Sequence, residues 1–364
     1  MRRRQSIAAT FAWLALAASA STALAQACPG DIDGNGSIDA VDLGLLLSQW
    51  GGPGSAQGGA DLDGDGVVGA TDLAGLLGGW GPCAIVPAWA SLLEVYPDPA
   101  VVTDAAIRAA IRATGFAWRV RDTASQVEMV LVPPRIFAMG CSASLAAPCV
   151  ADESPVHEVG FANPLYVGRF EITQGQWTAV VGANPSFFQG AAYPDSAERP
   201  VEKVSWHQLG QFLAPTGTRL LTEAEWEHAC RGGTTTAFHG TPTLAGGTDD
   251  DAQLGLIAWF SGNNGASGTP GFGTKRVGLK PPNGFGLHDM SGNVREWVAD
   301  FYGVAYYAES AVWDPIGPPK GTDRVLRGGG WIDPAGVCRS SDRFHFPPVT
   351  TGSAFTGFRV AKEP

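Results

Sequence analysis

Two stretches of the chain place oxygen-bearing side chains at a spacing with chemical meaning. Asp31-Ile-Asp-Gly-Asn-Gly-Ser-Ile-Asp-Ala-Val-Asp42 recurs 30 residues later as Asp61-Leu-Asp-Gly-Asp-Gly-Val-Val-Gly-Ala-Thr-Asp72. In both, a carboxylate or amide oxygen stands at positions 1, 3 and 5. Gly at position 6 permits a sharp turn, a backbone carbonyl serves at position 7, and a carboxylate closes at position 12. The ligands so predicted are Asp31, Asp33, Asn35, Ser37, Asp39 and Asp42 in the first loop, and Asp61, Asp63, Asp65, Val67 and Asp72 in the second. Hard oxygen donors alone, in loops of this length, point to calcium. Gly69 replaces the acidic group at position 9 of the second loop, which predicts the weaker site there. Segment 28–83 holds eight Asp and no Lys or Arg, a charge density that needs cations to pack.

The six cysteines are Cys28, Cys83, Cys141, Cys149, Cys230 and Cys338, an even number as disulfides require. Cys28 and Cys83 flank the repeat and are placed to clasp its ends. The six histidines are scattered without zinc spacing, and neither a Gly-x-Ser-x-Gly elbow nor a phosphate loop occurs. The elements that must position the Asp loops are short Leu-rich helices, and Trp50 and Trp80 each follow the closing Asp by eight residues. The second helix, over 71–80, contains Gly75, Gly78 and Gly79. Each costs about 1 kcal/mol against Ala in a helix interior, so this half is expected to fold with metal bound. The Asp at position 12 and the short helix after it resemble the dockerin type of calcium loop. That resemblance implies an all-α module over 28–83 that docks to a protein partner.

A chain of 364 residues accommodates two domains. Residues 1–25 read as an export signal: Arg2 to Arg4 are its charged region, 7–20 its apolar run, and Ala23-Leu-Ala25 its cleavage site. The apolar run is short for a membrane span, and no second one follows. The expected location is secreted, periplasmic or at the cell surface, where disulfides persist. Net charge is −11, and without the three leading arginines 21 basic side chains face 35 acidic ones. Such a surface argues against nucleic acid and anionic membranes as partners.

Residues 84–125 form a connector. Thr103 as N-cap and Gly115 as stop predict a helix over 103–114, with Ile107 and Ile111 on one face turned to the large domain. Alternation from Phe116 to Arg121 predicts a strand that pairs with 126–132. The domain from 126 to 362 has few helices. Three open with capping boxes: Thr173 with Gln176, Ser205 with Gln208, and Thr222 with Glu225. Long irregular runs separate them.

Several motifs in this domain occur together. They are Met129-Val-Leu-Val-Pro133, Tyr166-Val-Gly-Arg-Phe-Glu-Ile-Thr173, Pro200-Val-Glu-Lys-Val-Ser-Trp206 and Arg219-Leu-Leu-Thr-Glu-Ala-Glu-Trp226, followed by Asn283-Gly-Phe-Gly-Leu-His-Asp-Met-Ser-Gly-Asn-Val-Arg-Glu-Trp297, Arg327-Gly-Gly-Gly-Trp331 and Gly357-Phe-Arg-Val-Ala361. From Gln126 to Ala361 they resemble the formylglycine-generating enzyme or sulfatase-modifying-factor family. The resemblance implies an α+β, coil-rich fold with a C-type-lectin-like core. It also implies a calcium site with Asp289 and Glu296 as carboxylates and Gly292 and Val294 as carbonyls, and a second near Trp259 to Asn264 for which no ligands carry over.

Enzymes of this family oxidise a sulfatase cysteine to formylglycine with oxygen and copper(I), which a Cys-x4-Cys pair binds after Gly-Gly-Ser. Paired thiolates suit a soft ion. Counting forward from Gly328-Gly-Gly-Trp331, Gly330 falls on the serine, Asp333 on the first thiolate, and only Cys338 can supply a thiolate. Counting back from Gly357-Phe-Arg359, Cys338 falls nearer a structural cysteine bonded to the one matching Cys230. The second count is preferred, and it implies bridges Cys28–Cys83, Cys141–Cys149 and Cys230–Cys338. A free, reactive Cys338 is the alternative. A related iron-dependent sulfoxide-forming branch needs a His-rich domain that this sequence lacks. Three functions remain: a non-catalytic calcium-held binding domain, an active copper oxidase using Cys338, and an attachment protein.

Overall fold

The computed structural model describes residues 28–54, 59–269, 271–349 and 353–364. The export signal expected at 1–25 lies outside them. Among the described residues no helix is long and apolar enough to cross a membrane.

The N-terminal module consists of β1 (Ser37–Ile38), α1 (Ala40–Ser48), α2 (Ala70–Gly78) and β2 (Gly81–Pro82). α1 starts where the Asp39 carboxylate accepts the Val41 amide at 2.8 Å. The two helices close on a small core of Ile38, Leu46, Ala60, Val68 and Leu76. β1 pairs antiparallel with β2, and the disulfide Cys28–Cys83 ties the ends of the module together.

The connector is built into the large domain. β3 (Ala90–Glu94) and β4 (Arg119–Asp122) extend a five-stranded sheet of order β13-β8-β5-β4-β3, completed by β5 (Glu128–Val132), β8 (Leu165–Gly168) and β13 (Ala361–Lys362). The β4–β5 pairing sets Arg119 opposite Val130 and Val120 opposite Met129. Between β3 and β4 runs α3 (Ala105–Ala113), with Ile107 and Ile111 buried as its spacing predicts. Its N-cap is Asp104 rather than Thr103, because one carboxylate oxygen accepts the amides of both Ala106 (2.7 Å) and Ile107 (3.2 Å).

A hairpin of β6 (Ile136–Met139) and β7 (His157–Gly160) stands beside this sheet. Then come α4 (Gln174–Val181), α5 (Gly210–Thr216) and α6 (Glu223–Arg231). The three capping boxes form as read, with Gln176, Gln208 and Glu225 each bonding back to the cap residue. The Ser205 box opens a 3-10 turn before α5 rather than the helix itself. α4 and α6 stop at Gly182 and Gly232, both at positive φ (86° and 54°), where a side chain would strain the turn. The second sheet has the order β11-β10-β9-β12, formed by β9 (Arg295–Phe301), β10 (Arg324–Arg327), β11 (Phe344–Phe346) and β12 (Thr356–Phe358). Trp118, Trp226 and Trp297 are fully buried anchors of the core that joins the two sheets and α6.

Candidate functional site

In the first Asp loop, the ligand oxygens of Asp31, Asp33 and Asp42 lie within 4.8 Å of one another. Asp31 is held by the amides of Asn35 (3.0 Å) and Gly36 (2.9 Å). Asp42 reaches back to accept from Ile32 (2.6 Å), Asp33 (3.1 Å) and Asp39 (2.8 Å). Burial pushes the Asp42 carboxyl up, but these amides outweigh it and leave it below the usual range. Asn35 folds its side-chain oxygen onto the Ser37 amide at 2.9 Å, and Asp39 caps α1. In the second loop, Asp61, Asp63 and Asp65 converge in the same way, while Asp72 accepts from Gly69 and Leu62, both at 2.6 Å. The Gly69 amide is the main cause of its lowered pKa. Gly36 and Gly66, at position 6, have φ of 87° and 92°. Two clusters of carboxylate oxygens in a segment that contains no Lys or Arg fit calcium.

The large domain balances its buried charges differently. Glu296 is committed on both oxygens: Arg359 Nη2 lies 2.8 Å from Oε1, and the Trp226 indole donates to Oε2 at 2.7 Å. Of the expected calcium set Asp289, Gly292, Val294 and Glu296, the Glu296 carboxylate thus has a guanidinium beside it. Asp289 accepts the Gly278 amide at 2.6 Å, and its other oxygen is buried without a partner. Burial pushes its carboxyl up to about 6. Burial, with Asp289 and Glu296 beside it, raises Glu171 well above the usual range, and Glu171 in turn receives the Asn293 side chain (2.6 Å) and the Val294 amide (3.0 Å). Near Trp259 to Asn264, the Lys275 ammonium donates to Asn264 Oδ1 (2.6 Å) and Gly273 O (2.5 Å), so a side-chain cation sits among those oxygens too.

The loop after Gly328 turns back on itself. Asp333 returns to accept the Gly330 amide at 2.9 Å, and Cys338 Sγ packs under Gly329. The carboxylate of Asp333 is gripped in parallel by Arg295, Nε at 2.7 Å and Nη2 at 2.6 Å, in a pair that is almost fully buried. The Arg295 guanidinium lies 3.6 Å over the Phe344 ring. Burial first, and then the Asp333 charge, holds the Cys338 thiol well above its ordinary pKa. One protonated thiol beside a salt-bridged carboxylate does not fit copper(I).

The bridge expected between Cys230 and Cys338 is not formed; both are buried, unbonded thiols, whereas Cys141–Cys149 is bonded. Their surroundings differ. Cys230 lies in the main core with its thiol turned to Met290 O at 3.5 Å. Cys338 belongs to a separate cluster with Ala237, Phe238, Leu254, Ile257 and Ala258.

Sequence reasoning missed Arg295 and Arg359. Both stand inside quoted motifs, but the carboxylates they neutralise are brought to them only by the fold. It also missed the ion network under α6, where Glu223 is paired by Arg343 at 2.7 Å and Glu227 by Arg231 at 2.7 Å and Arg327 at 2.5 Å. A separate groove of about 480 Å³ runs past Trp206, Leu213, Leu220 and Ile316 to Arg219 and Glu225.

The sequence profile of the Sulfatase-modifying factor enzyme 1-like domain matches residues 116–364, and that of the Dockerin type I domain matches 29–77. The chain is 35% identical over 199 residues to a formylglycine-generating enzyme of Bos taurus, covering 51% of this chain and 50% of that protein. It is 30% identical over 310 residues to one of Streptomyces coelicolor, covering 70% and 94%. It is also 35% identical over 171 residues to a protein of Chlamydia pneumoniae named serine/threonine-protein kinase pkn1, covering 46% and 25%. The chain thus spans about half the length of the bovine relative. Among solved structures, PvdO from Pseudomonas aeruginosa superposes with TM-score 0.54 at 28% identity, covering 68% of this chain and 98% of that one. Treponema denticola variable protein 1 gives 0.53 at 28%, covering 66% and 98%.

Proposed function

Since this chain belongs to the sulfatase-modifying-factor family through residues 116–364 and carries a dockerin-type module before them, we propose that it is an exported, non-catalytic member that binds rather than oxidises. In this reading the large domain presents a ligand-binding surface, and the calcium-loaded module attaches it to a protein partner. The observation that carries the reading is the Arg295–Asp333 pair. On the forward count from Gly328 it stands at the first copper-binding thiolate, and Cys338 is then a single, buried thiol whose pKa is raised. The calcium loops support the attachment role, because their carboxylates converge in a segment that has no Lys or Arg. The two disulfides, Cys28–Cys83 and Cys141–Cys149, support an oxidising compartment.

The test is a copper(I) titration of the purified chain, together with turnover on a cysteine peptide of the sulfatase type under oxygen. The expected result is no stoichiometric copper and no aldehyde. Aldehyde formation that disappears in Cys338→Ser would overturn the reading and restore the oxidase.

A further inference from the structure

The two calcium loops are braced by a pseudo-symmetric exchange. Each is supported by the segment that follows the helix of the other repeat. For the second loop, the segment after α1 supplies the brace: Gly54 N donates to Gly66 O at 3.0 Å, and Val68 N donates to Gly52 O at 3.2 Å. For the first loop, the segment after α2 does the same: Cys83 N donates to Gly36 O at 3.1 Å, and Ser37 and Ile38 pair with Pro82 and Gly81. The two braces differ in one respect. Only the first ends in a covalent bond, from Cys83 to Cys28, whose carbonyl in turn accepts the Asp31 amide at 3.1 Å. Cys83 Sγ also lies 3.6 Å from Asp31 Oδ2, an oxygen of the position-1 ligand.

We propose that the Cys28–Cys83 disulfide sets the calcium affinity of the first loop and leaves the second nearly untouched, which makes one of the two sites redox-sensitive. The inference rests on the calcium reading of the loops. Reduction by an external dithiol adds two electrons and two protons; the disulfide becomes two thiols while the dithiol closes to its own disulfide. Two consequences act on the same site. The first loop loses the covalent tie between its entry at Cys28 and its brace at Cys83. Cys83 also gains an S–H beside Asp31 Oδ2, a donor that competes with calcium for that oxygen. The second loop keeps its brace through the uninterrupted chain from α1.

The experiment uses the full chain and direct calcium titration. Asp61→Ala leaves the first loop to be read alone, and Asp31→Ala leaves the second. Adding Cys28→Ser with Cys83→Ser is expected to weaken the Asp61→Ala protein by at least about tenfold and the Asp31→Ala protein by less than about twofold. Dithiol treatment of the same single-loop proteins, in a Cys141→Ser/Cys149→Ser background that removes the other bridge, should reproduce the difference without altering the module's own sequence. Equal weakening of both loops, or of neither, overturns the inference while leaving calcium binding intact. No calcium uptake by the oxidised, unmutated chain overturns the calcium reading and this inference with it.

Discussion

Asp300 offers the sharpest test of how this domain holds its charges. It is buried on β9 against the start of α6, where Oδ2 accepts the Glu223 amide at 2.8 Å. Burial, and then the Glu223 charge, push its carboxyl from 3.8 up to about 8. A carboxyl raised in the folded state favours folding below its unfolded pKa and loses that contribution as pH rises through the folded one. Between about pH 6.5 and 8.5 the group is largely ionised when unfolded and largely protonated when folded until the upper end. At about 1.4 kcal/mol per pH unit, tapering near the folded value, it should remove about 2 kcal/mol of stability across that window. This window also avoids the buried His228 and His239. Burial depresses both to about 4, so their contribution has the opposite sign and is lost only as pH falls from about 6.5 toward 4. Asp300→Asn keeps an oxygen for the Glu223 amide and an N–H where the protonated acid has its O–H, but it cannot ionise. Urea denaturation of both proteins at the two pH values should therefore show Asp300→Asn gaining about 2 kcal/mol on the native chain between them. Parallel pH dependence would refute a buried, protonated Asp300.

Three further outcomes follow from the same charge placement. Arg359→Met leaves Glu296 buried without its cation and should cost about 3–5 kcal/mol in urea denaturation at neutral pH. Gly317→Ala should cost about 2 kcal/mol or more in the same assay, because its φ is 78° and an added methyl would meet Asp300 Oδ1 at 2.5 Å. Chelation should unfold segment 28–83 as a separate calorimetric transition while the large domain's transition persists, and Asp31→Ala should remove one of two calcium equivalents.

What the sequence disclosed was local. The Asp loops, the capping boxes and the Ile107–Ile111 face each place their meaning within about a dozen residues, so spacing alone sufficed. The one-residue error at α3 arose because Thr103 and Asp104 are both competent caps, and the choice depends on which oxygen reaches two amides. The pairings that decide function are long-range. Nothing in the spacing of Arg295 and Asp333, 38 residues apart, announces a salt bridge; β9 presents the arginine to a loop returning from Gly330. The same holds for Cys230 and Cys338. The family resemblance, with an oxidising compartment, favoured a bond, yet both thiols are free, and they belong to different hydrophobic clusters.

The two parts of the chain therefore solve the same electrostatic problem in opposite ways. In the large domain Arg359 sits beside Glu296, Arg295 answers Asp333, and Lys275 occupies oxygens near Asn264, so the positive charge is covalently part of the fold. In 28–83 there is no basic residue at all, and eight carboxylates must draw their counter-charge from solution. On the proposed reading, a module without internal cations should depend on calcium for folding more than a domain that carries them. On the proposed reading, calcium then governs whether the protein is attached, and the large domain keeps its shape, and its binding surface, whether attached or free.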